Sequence, residues 1–263
     1  MQEKDLLLEI DGVVARLTLN RPDKRNALGN KNDGEMFETA AKTINENKNL
    51  RCVIMTGAGK SFSAGGDLKY FDSQGDKLGA ALKEITGLLH AAIGRMAHMD
   101  APVVGAINGM AAGAGFSLAA ACDIAIAGQS TRFTLAYTAA GLSPDGSSTW
   151  FLPRLVGLRR ARELMLTNRM LSADEACEMG VVDRVVPDDE LLDAAMAQAA
   201  IFAAGPTMAY GATKRLLQDT WTSGLETQMD RETRSISELT RTSDAREGID
   251  AFLNKRKPSF KGE

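Results

Sequence analysis

Apolar residues alternate with polar ones through Leu6, Leu8 and Ile10, and again from Val13 to Leu19, with Asp11-Gly12 between the two runs. A period of two interrupted by Asp-Gly predicts an antiparallel hairpin. Asn20-Arg21-Pro22-Asp23-Lys24 ends it in a turn. Met36, Ala40, Ala41 and Ile44 share one helical face, so residues 35–44 are predicted as a helix. The run Val53-Ile54-Met55-Thr56, closed by Gly57-Ala58-Gly59, predicts a short buried strand. Residues 71–80 are polar and contain glycine, the signature of a mobile loop. Helices are predicted over 82–99 and 114–121, and strands over 102–107 and 124–127. The repeated order of strand, turn and helix predicts an α/β fold in which each turn buries its apolar side on the next.

After about residue 191 the strand pattern stops and helical periodicity takes over, at 194–204, 208–220, 225–239 and 245–253. This divides the chain into an α/β core over 1–195 and a helical region over 196–263. Helices with apolar faces at one end of a chain serve to join subunits or to cover their own core, and the pattern allows both. No repeat of 20–50 residues and no low-complexity segment interrupts this order.

The chain has 263 residues, 44% hydrophobic and 25% charged, with a net charge of −3. That composition is globular, and the charge gives no footprint for nucleic acid or an anionic membrane. Three cysteines without a CxxC spacing argue against a disulfide framework or a zinc site, and fit a reducing, cytoplasmic setting. Two histidines, His90 and His98, are too few for a histidine-rich metal site, and both fall in one predicted helix. The acidic start MQEKDLLLEIDG lacks the basic segment of a secretory signal. Residues 101–122 carry no charge and contain GxxxG at Gly109 and Gly113, but Pro102, Asn108 and the Ala/Gly content fit a strand, a glycine turn and a buried helix better than a membrane span.

Three segments can carry chemistry. Ser61-Phe62-Ser63-Ala64-Gly65-Gly66-Asp67-Leu68 follows a strand, and its small residues let main-chain N–H groups approach a ligand; a plain tight turn with Asp67 capping a helix is the other reading. The segment from Asn108 to Leu118 links a strand to a helix whose first N–H groups are free and lie at the positive end of its dipole, a setting for an oxyanion; close helix–strand packing is its plainer reading. The spacing of Gly109, Gly113 and Gly115 does not match a dinucleotide fingerprint. Asp145, in Ser143-Pro144-Asp145-Gly146, stands among apolar residues as a turn aspartate or a proton carrier.

Together these segments resemble the crotonase (enoyl-CoA hydratase/isomerase) superfamily, from Asn20-Arg-Pro-Asp-Lys-Arg-Asn-Ala-Leu28 to Phe252-Leu-Asn-Lys-Arg-Lys-Pro-Ser-Phe-Lys261. The resemblance implies a core that spirals in ββα turns, a C-terminal helical trimerisation region, and a homotrimer or hexamer. It implies a coenzyme A thioester as substrate and no metal or other cofactor. By position it places the oxyanion-hole donors on the backbone N–H groups of Gly66 and Ala114. One such donor lowers a barrier by roughly 3–4 kcal/mol. It places coenzyme A past Lys24, Arg25 and Ala27, with the adenine near Ala64, Asp67 and Leu68, and lets Phe252 and Lys255 complete the contacts from a neighbouring subunit. Lys24, Arg25 and Lys255 can also be read as solvated surface, and the resemblance favours binding. The 71–85 segment is where the family sets acyl specificity, and Met110, Phe116, Tyr137 and Trp150 are candidates for the acyl pocket or for the core.

The chain departs from the hydratase pattern. The positions of the two water-activating glutamates hold Ser117 and Tyr137, and neither is a base at neutral pH. Asp145 stands where family isomerases carry one catalytic acid, and Leu142-Ser-Pro-Asp-Gly resembles the ring-opening isomerases of phenylacetyl-CoA breakdown. The expectation is an isomerase of an unsaturated or epoxidised acyl-CoA with Asp145 as proton shuttle, Ser117 and Tyr137 shaping the pocket or holding a water. A hydratase, a thioester hydrolase and a non-catalytic acyl-CoA-binding protein are the alternatives.

Overall fold

The computed structural model describes residues 5–263. β1 (Leu6–Asp11) and β2 (Val14–Leu19) form the expected hairpin, Asp11 pairing with Val14 across a two-residue turn. β2 then pairs in parallel with β3 (Cys52–Gly57), β3 with β5 (Val103–Ile107), β5 with β7 (Ile124–Gly128) and β7 with β10 (Arg184–Val186). Both faces of the central strands are covered. Val53, Met55, Val103 and Ile107 belong to the main core, while Cys52, Ile54, Val104, Ala106 and Ile126 pack against Leu191, Ala195 and Ala199 of α8 (Leu191–Ala203). A strand buried on both faces reads as one continuous apolar run, as residues 53–56 did.

A second sheet, not predicted from the period, runs in the order β4 (Ser61–Ser63), β6 (Met110–Ala112), β8 (Arg132–Thr134) and β9 (Leu171–Ser172). β4, β6 and β8 each follow a long strand of the first sheet. Each long–short pair then leads to a helix: α2 (Leu68–Ser73) and α3 (Leu78–His98), α4 (Ala114–Ala120), and α5 (Ser148–Val156). This is the ββα spiral, and it stacks because successive pairs share tight turns. At one of them the Asn108 amide donates to the carbonyls of Gly57 and Gly59 and accepts the Gly57 N–H. Gly109 follows with φ +59°, and a Cβ there would lie 1.9 Å from the Lys60 carbonyl oxygen.

The segment 71–80 is not a loop. Asp67 caps α2 by accepting the Tyr70 N–H at 3.2 Å, a 3-10 turn spans Gly75–Lys77, and α3 begins at Leu78. Its polar residues are the solvent side of helices. α3 lies on α1 (Lys31–Glu46), whose start is fixed by reciprocal bonds between Asn30 and Asp33.

The C-terminal helices are α8, α9 (Thr207–Asp219), α10 (Leu225–Leu239) and α11 (Ser243–Leu253). The expected boundary at residue 195 falls within α8, which closes the second face of the main sheet. α9 is tied down by Lys214, buried at 8% exposure, which donates to the carbonyls of Met96 and Ala101 and pairs with Asp123 at 2.7 Å. α10 and α11 instead expose Leu225, Met229, Ile236, Phe252 and Leu253. Among the described residues no single helix is long and apolar enough to cross a membrane. The uncharged stretch 101–122 is divided among β5, β6 and α4.

Candidate active site

The site lies where β4 and β6 hand the chain to their helices. Gly65 has φ +85°, and a Cβ on it would stand 2.6 Å from the Ala112 carbonyl oxygen and 3.2 Å from Gly113 Cα. Two backbones touch there, and a residue without a side chain is what allows it. Ser63 holds the approach: its hydroxyl donates to the Asn26 carbonyl at 2.8 Å and accepts the Gly65 N–H at 3.1 Å. Asn26 is buried and left-handed at φ +56°. Its amide donates to the carbonyls of Ala58 and Ser61 and accepts the Arg21 N–H, tying residues 21–27 to the 58–65 segment.

This packing leaves two main-chain N–H groups over. In the parallel bridge between Leu28 and Gly66, Leu28 donates to the Gly65 carbonyl and accepts from the Asp67 N–H, both at 2.7 Å. The Gly66 N–H sits between those bonds and faces away from Leu28. Ala114 opens α4, and a first-turn N–H has no carbonyl one turn back to bond. Neither N–H finds an acceptor among the described residues. Gly66 and Ala114 line one cavity of roughly 290 Å³. Its other walls are largely apolar, with Phe71 from α2 and Leu82, Ile85 and Leu89 from α3. The expected 71–85 segment therefore does face the cavity, as helix rather than loop.

Asp145 is the only carboxylate among the lining residues. Its turn is held through its own carbonyl, which accepts from the hydroxyls of Ser117 and Ser148, each at 2.9 Å, and from the Ser148 N–H at 3.2 Å. Its carboxylate accepts the Tyr137 hydroxyl at 2.6 Å, a short charge-assisted bond. Burial, and after it the Asp145 charge, push the Tyr137 pKa well above the ordinary tyrosine value, so this phenol is a fixed donor and never a base. Ser117 Oγ lies 3.0 Å from that phenol oxygen and is fully buried. Ser117 and Tyr137 thus form a neutral scaffold around one acid.

Of the residues expected at the site, Gly66, Ala114, Asp145, Ala64, Leu68 and Tyr137 line the cavity. Ser117 stands behind its wall. Asp67 is engaged as the α2 cap and stands 3.6 Å from Arg21. Lys24 and Arg25 are exposed, Ala27 is buried beside them, and the Arg25 carbonyl accepts the Ala64 N–H. Phe252, 85% exposed, and Lys255 lie at the end of α11, outside this cavity. Phe116 is a core residue packed on Phe133, and Trp150 borders a different cavity; neither these two nor Met110 lines this cavity. Asn26, Ser63 and Phe71 were missed. Only Asn26 left a trace, since asparagine tolerates the left-handed backbone that follows Arg25 at φ +51°.

Tyr137→Phe is expected to leave the fold intact and lower kcat about ten- to hundredfold, with KM moving much less, because a donor to a charged group is lost. Steady-state kinetics beside a thermal melt reads this.

Residues 9–263 match the enoyl-CoA hydratase/isomerase family. The chain is 38% identical to a 1,2-epoxyphenylacetyl-CoA isomerase of Escherichia coli (strain K12), over 98% of each chain. It is 34% identical to a 2,3-dehydroadipyl-CoA hydratase of the same organism, over 98% of this chain and 99% of that one. An enoyl-CoA hydratase structure from Bacillus anthracis superposes with a TM-score of 0.91 at 33% identity, covering 99% of this chain and 100% of that one. With matched sequence over nearly its whole length and the same fold, the chain belongs to the enoyl-CoA hydratase/isomerase (crotonase) family and is an enzyme of that family.

Proposed function

We propose that this enzyme isomerises an unsaturated or epoxidised acyl-CoA, with Asp145 as its single proton carrier. The observation that carries the reading is that one carboxylate, and no second acid, lines the cavity that also holds the free N–H groups of Gly66 and Ala114. In a 3-enoyl thioester Asp145 takes a proton from C2, and the electrons pass to the thioester oxygen as a dienolate. The two N–H donors hold that oxyanion. The protonated Asp145 then returns the proton to C4 while the oxyanion electrons flow back, and the double bond stands at C2–C3. Water addition needs a second group to activate water, and Ser117 and Tyr137 supply none. The E. coli isomerase among the relatives supports an epoxide-opening version of the same proton transfer.

Coenzyme A is proposed to enter past Lys24, Arg25 and Ala27. Phe252 and Lys255 are proposed to reach it from a neighbouring copy. The exposed apolar residues of α10 and α11 support assembly as a trimer or a pair of trimers.

A panel of 3-enoyl-, 2-enoyl- and aryl-acetyl-CoA esters tests the reading. The expected result is conversion of the 3-enoyl ester to its conjugated isomer, with hydration of crotonyl-CoA at least about a hundredfold slower. Hydration as the dominant activity, release of free coenzyme A, or binding without turnover each overturns it.

A further inference from the structure

Asp145 borders two cavities. Besides the one with Gly66 and Ala114, it lines a second on the other side of the 144–147 turn, together with His90, His98, Trp150 and Gln218. From the acyl side the turn is held through the Asp145 carbonyl, as described above. From the second side the Ser147 carbonyl accepts the N–H groups of Trp150 and Phe151, and the turn's hydrogen bond to α3 is the one the Gly146 N–H donates to His90 Nε2 at 3.1 Å. Gly146 is buried, and His90 is exposed on α3. The two residues are 56 positions apart.

A ring nitrogen accepts a hydrogen bond only when it carries no proton. His90 in this contact is therefore the neutral imidazole with its hydrogen on Nδ1. Protonation would place a second N–H against the Gly146 N–H and remove the anchor. Other charged groups are engaged elsewhere. Arg95 of α3 pairs with Glu38 of α1 at 2.8 Å, and Asp219 of α9 with Arg231 of α10 at 2.8 Å. Arg215 of α9 pairs with Asp100 at 2.7 Å, Lys31 of α1 with Glu84 of α3 at 2.7 Å, and His98 Nδ1 lies 2.8 Å from the Gly94 carbonyl. The Asp145 carboxylate is turned to Tyr137.

We infer that His90 is the positioning residue of the catalytic turn: neutral, it pins the Asp145–Gly146 peptide from behind, and protonated, it releases it. The inference rests on Asp145 being the proton carrier. Activity then rises with pH across the imidazole's titration, because the unprotonated form is the one that anchors.

The test uses the full-length protein. With two histidines in the chain, His98→Asn assigns their ring signals in long-range ¹H–¹⁵N spectra. The expected result is the Nδ1–H tautomer at His90 and a Gly146 amide shift that follows the His90 titration and becomes pH-independent in His90→Leu. In kinetics on a 3-enoyl-CoA, His90→Leu should lose at least about tenfold in kcat with KM within about twofold. His90→Gln, whose carbonyl can accept the same N–H without titrating, should restore kcat at neutral pH and flatten the acid limb. A His90 Nε2–H tautomer, a Gly146 amide indifferent to His90→Leu, or the same acid limb in His90→Gln as in the wild type overturns the inference. The predicted spectra in a protein that isomerises nothing would uphold the anchor and end the isomerase assignment instead.

Discussion

Asp145→Asn should abolish the double-bond shift, lowering kcat on a 3-enoyl-CoA by about a thousandfold or more. The substitution removes the proposed proton carrier and little else. Asparagine keeps an oxygen for the Tyr137 hydroxyl, and the bonds from Ser117, Ser148 and Gly146 are made to or by the main chain, so the turn keeps its supports. Binding of a saturated acyl-CoA, followed by calorimetry, should stay within about threefold of wild type, since uniform binding does not use the carboxylate. Wild-type turnover in this variant would end the assignment of Asp145.

Gly66→Pro should be nearly as damaging, for a different reason. Proline has no N–H, so one of the two donors vanishes, whereas the bonds of Leu28 are made by the Gly65 carbonyl and the Asp67 N–H, groups the substitution does not remove. Loss of one oxyanion donor corresponds to roughly a hundred- to thousandfold in kcat. Gly66→Ala is the control, because it keeps the N–H and adds a Cβ that would lie 2.6 Å from the edge of the Phe71 ring. The ring has to swing aside, at a cost to substrate fit, but the donor survives. If the proline variant melts like the wild type and turns over as fast as the alanine variant, Gly66 is not part of an oxyanion hole.

How far the sequence foretold this arrangement depended on the range of the interactions concerned. The hairpin, the strand at 53–56 and the C-terminal helices announce themselves because their apolar period is fixed by what each buries locally. β4, β6 and β8 are three residues long, too short to show a period, and exist because each is templated by the turn of the spiral beside it. The 71–80 stretch was misread because its polar residues are the wet faces of helices, and composition does not separate those from a loop. The donors at Gly66 and Ala114 were placed by resemblance, and the backbone geometry gives the reason: a parallel bridge and a helix start each leave an N–H without a partner. The link from Tyr137 to Asp145 and that from His90 to Gly146 could not be read, because both depend on how an irregular turn is folded, in the first case against the stretch that follows β8 and in the second against α3.

Lys214 fixes how the chain can be divided. It reaches from α9 to one carbonyl in the last turn of α3, to one in the connection from α3 to β5, and to Asp123, just before β7. A version of the protein cut before α9 would leave that aspartate and both carbonyls facing a hole, and α8 would lose the helix that follows it. The last quarter of the chain is therefore no detachable accessory. Through one ammonium group α9 is bound to the junction from which both α3, a wall of the Gly66–Ala114 cavity, and the central strand β5 depart.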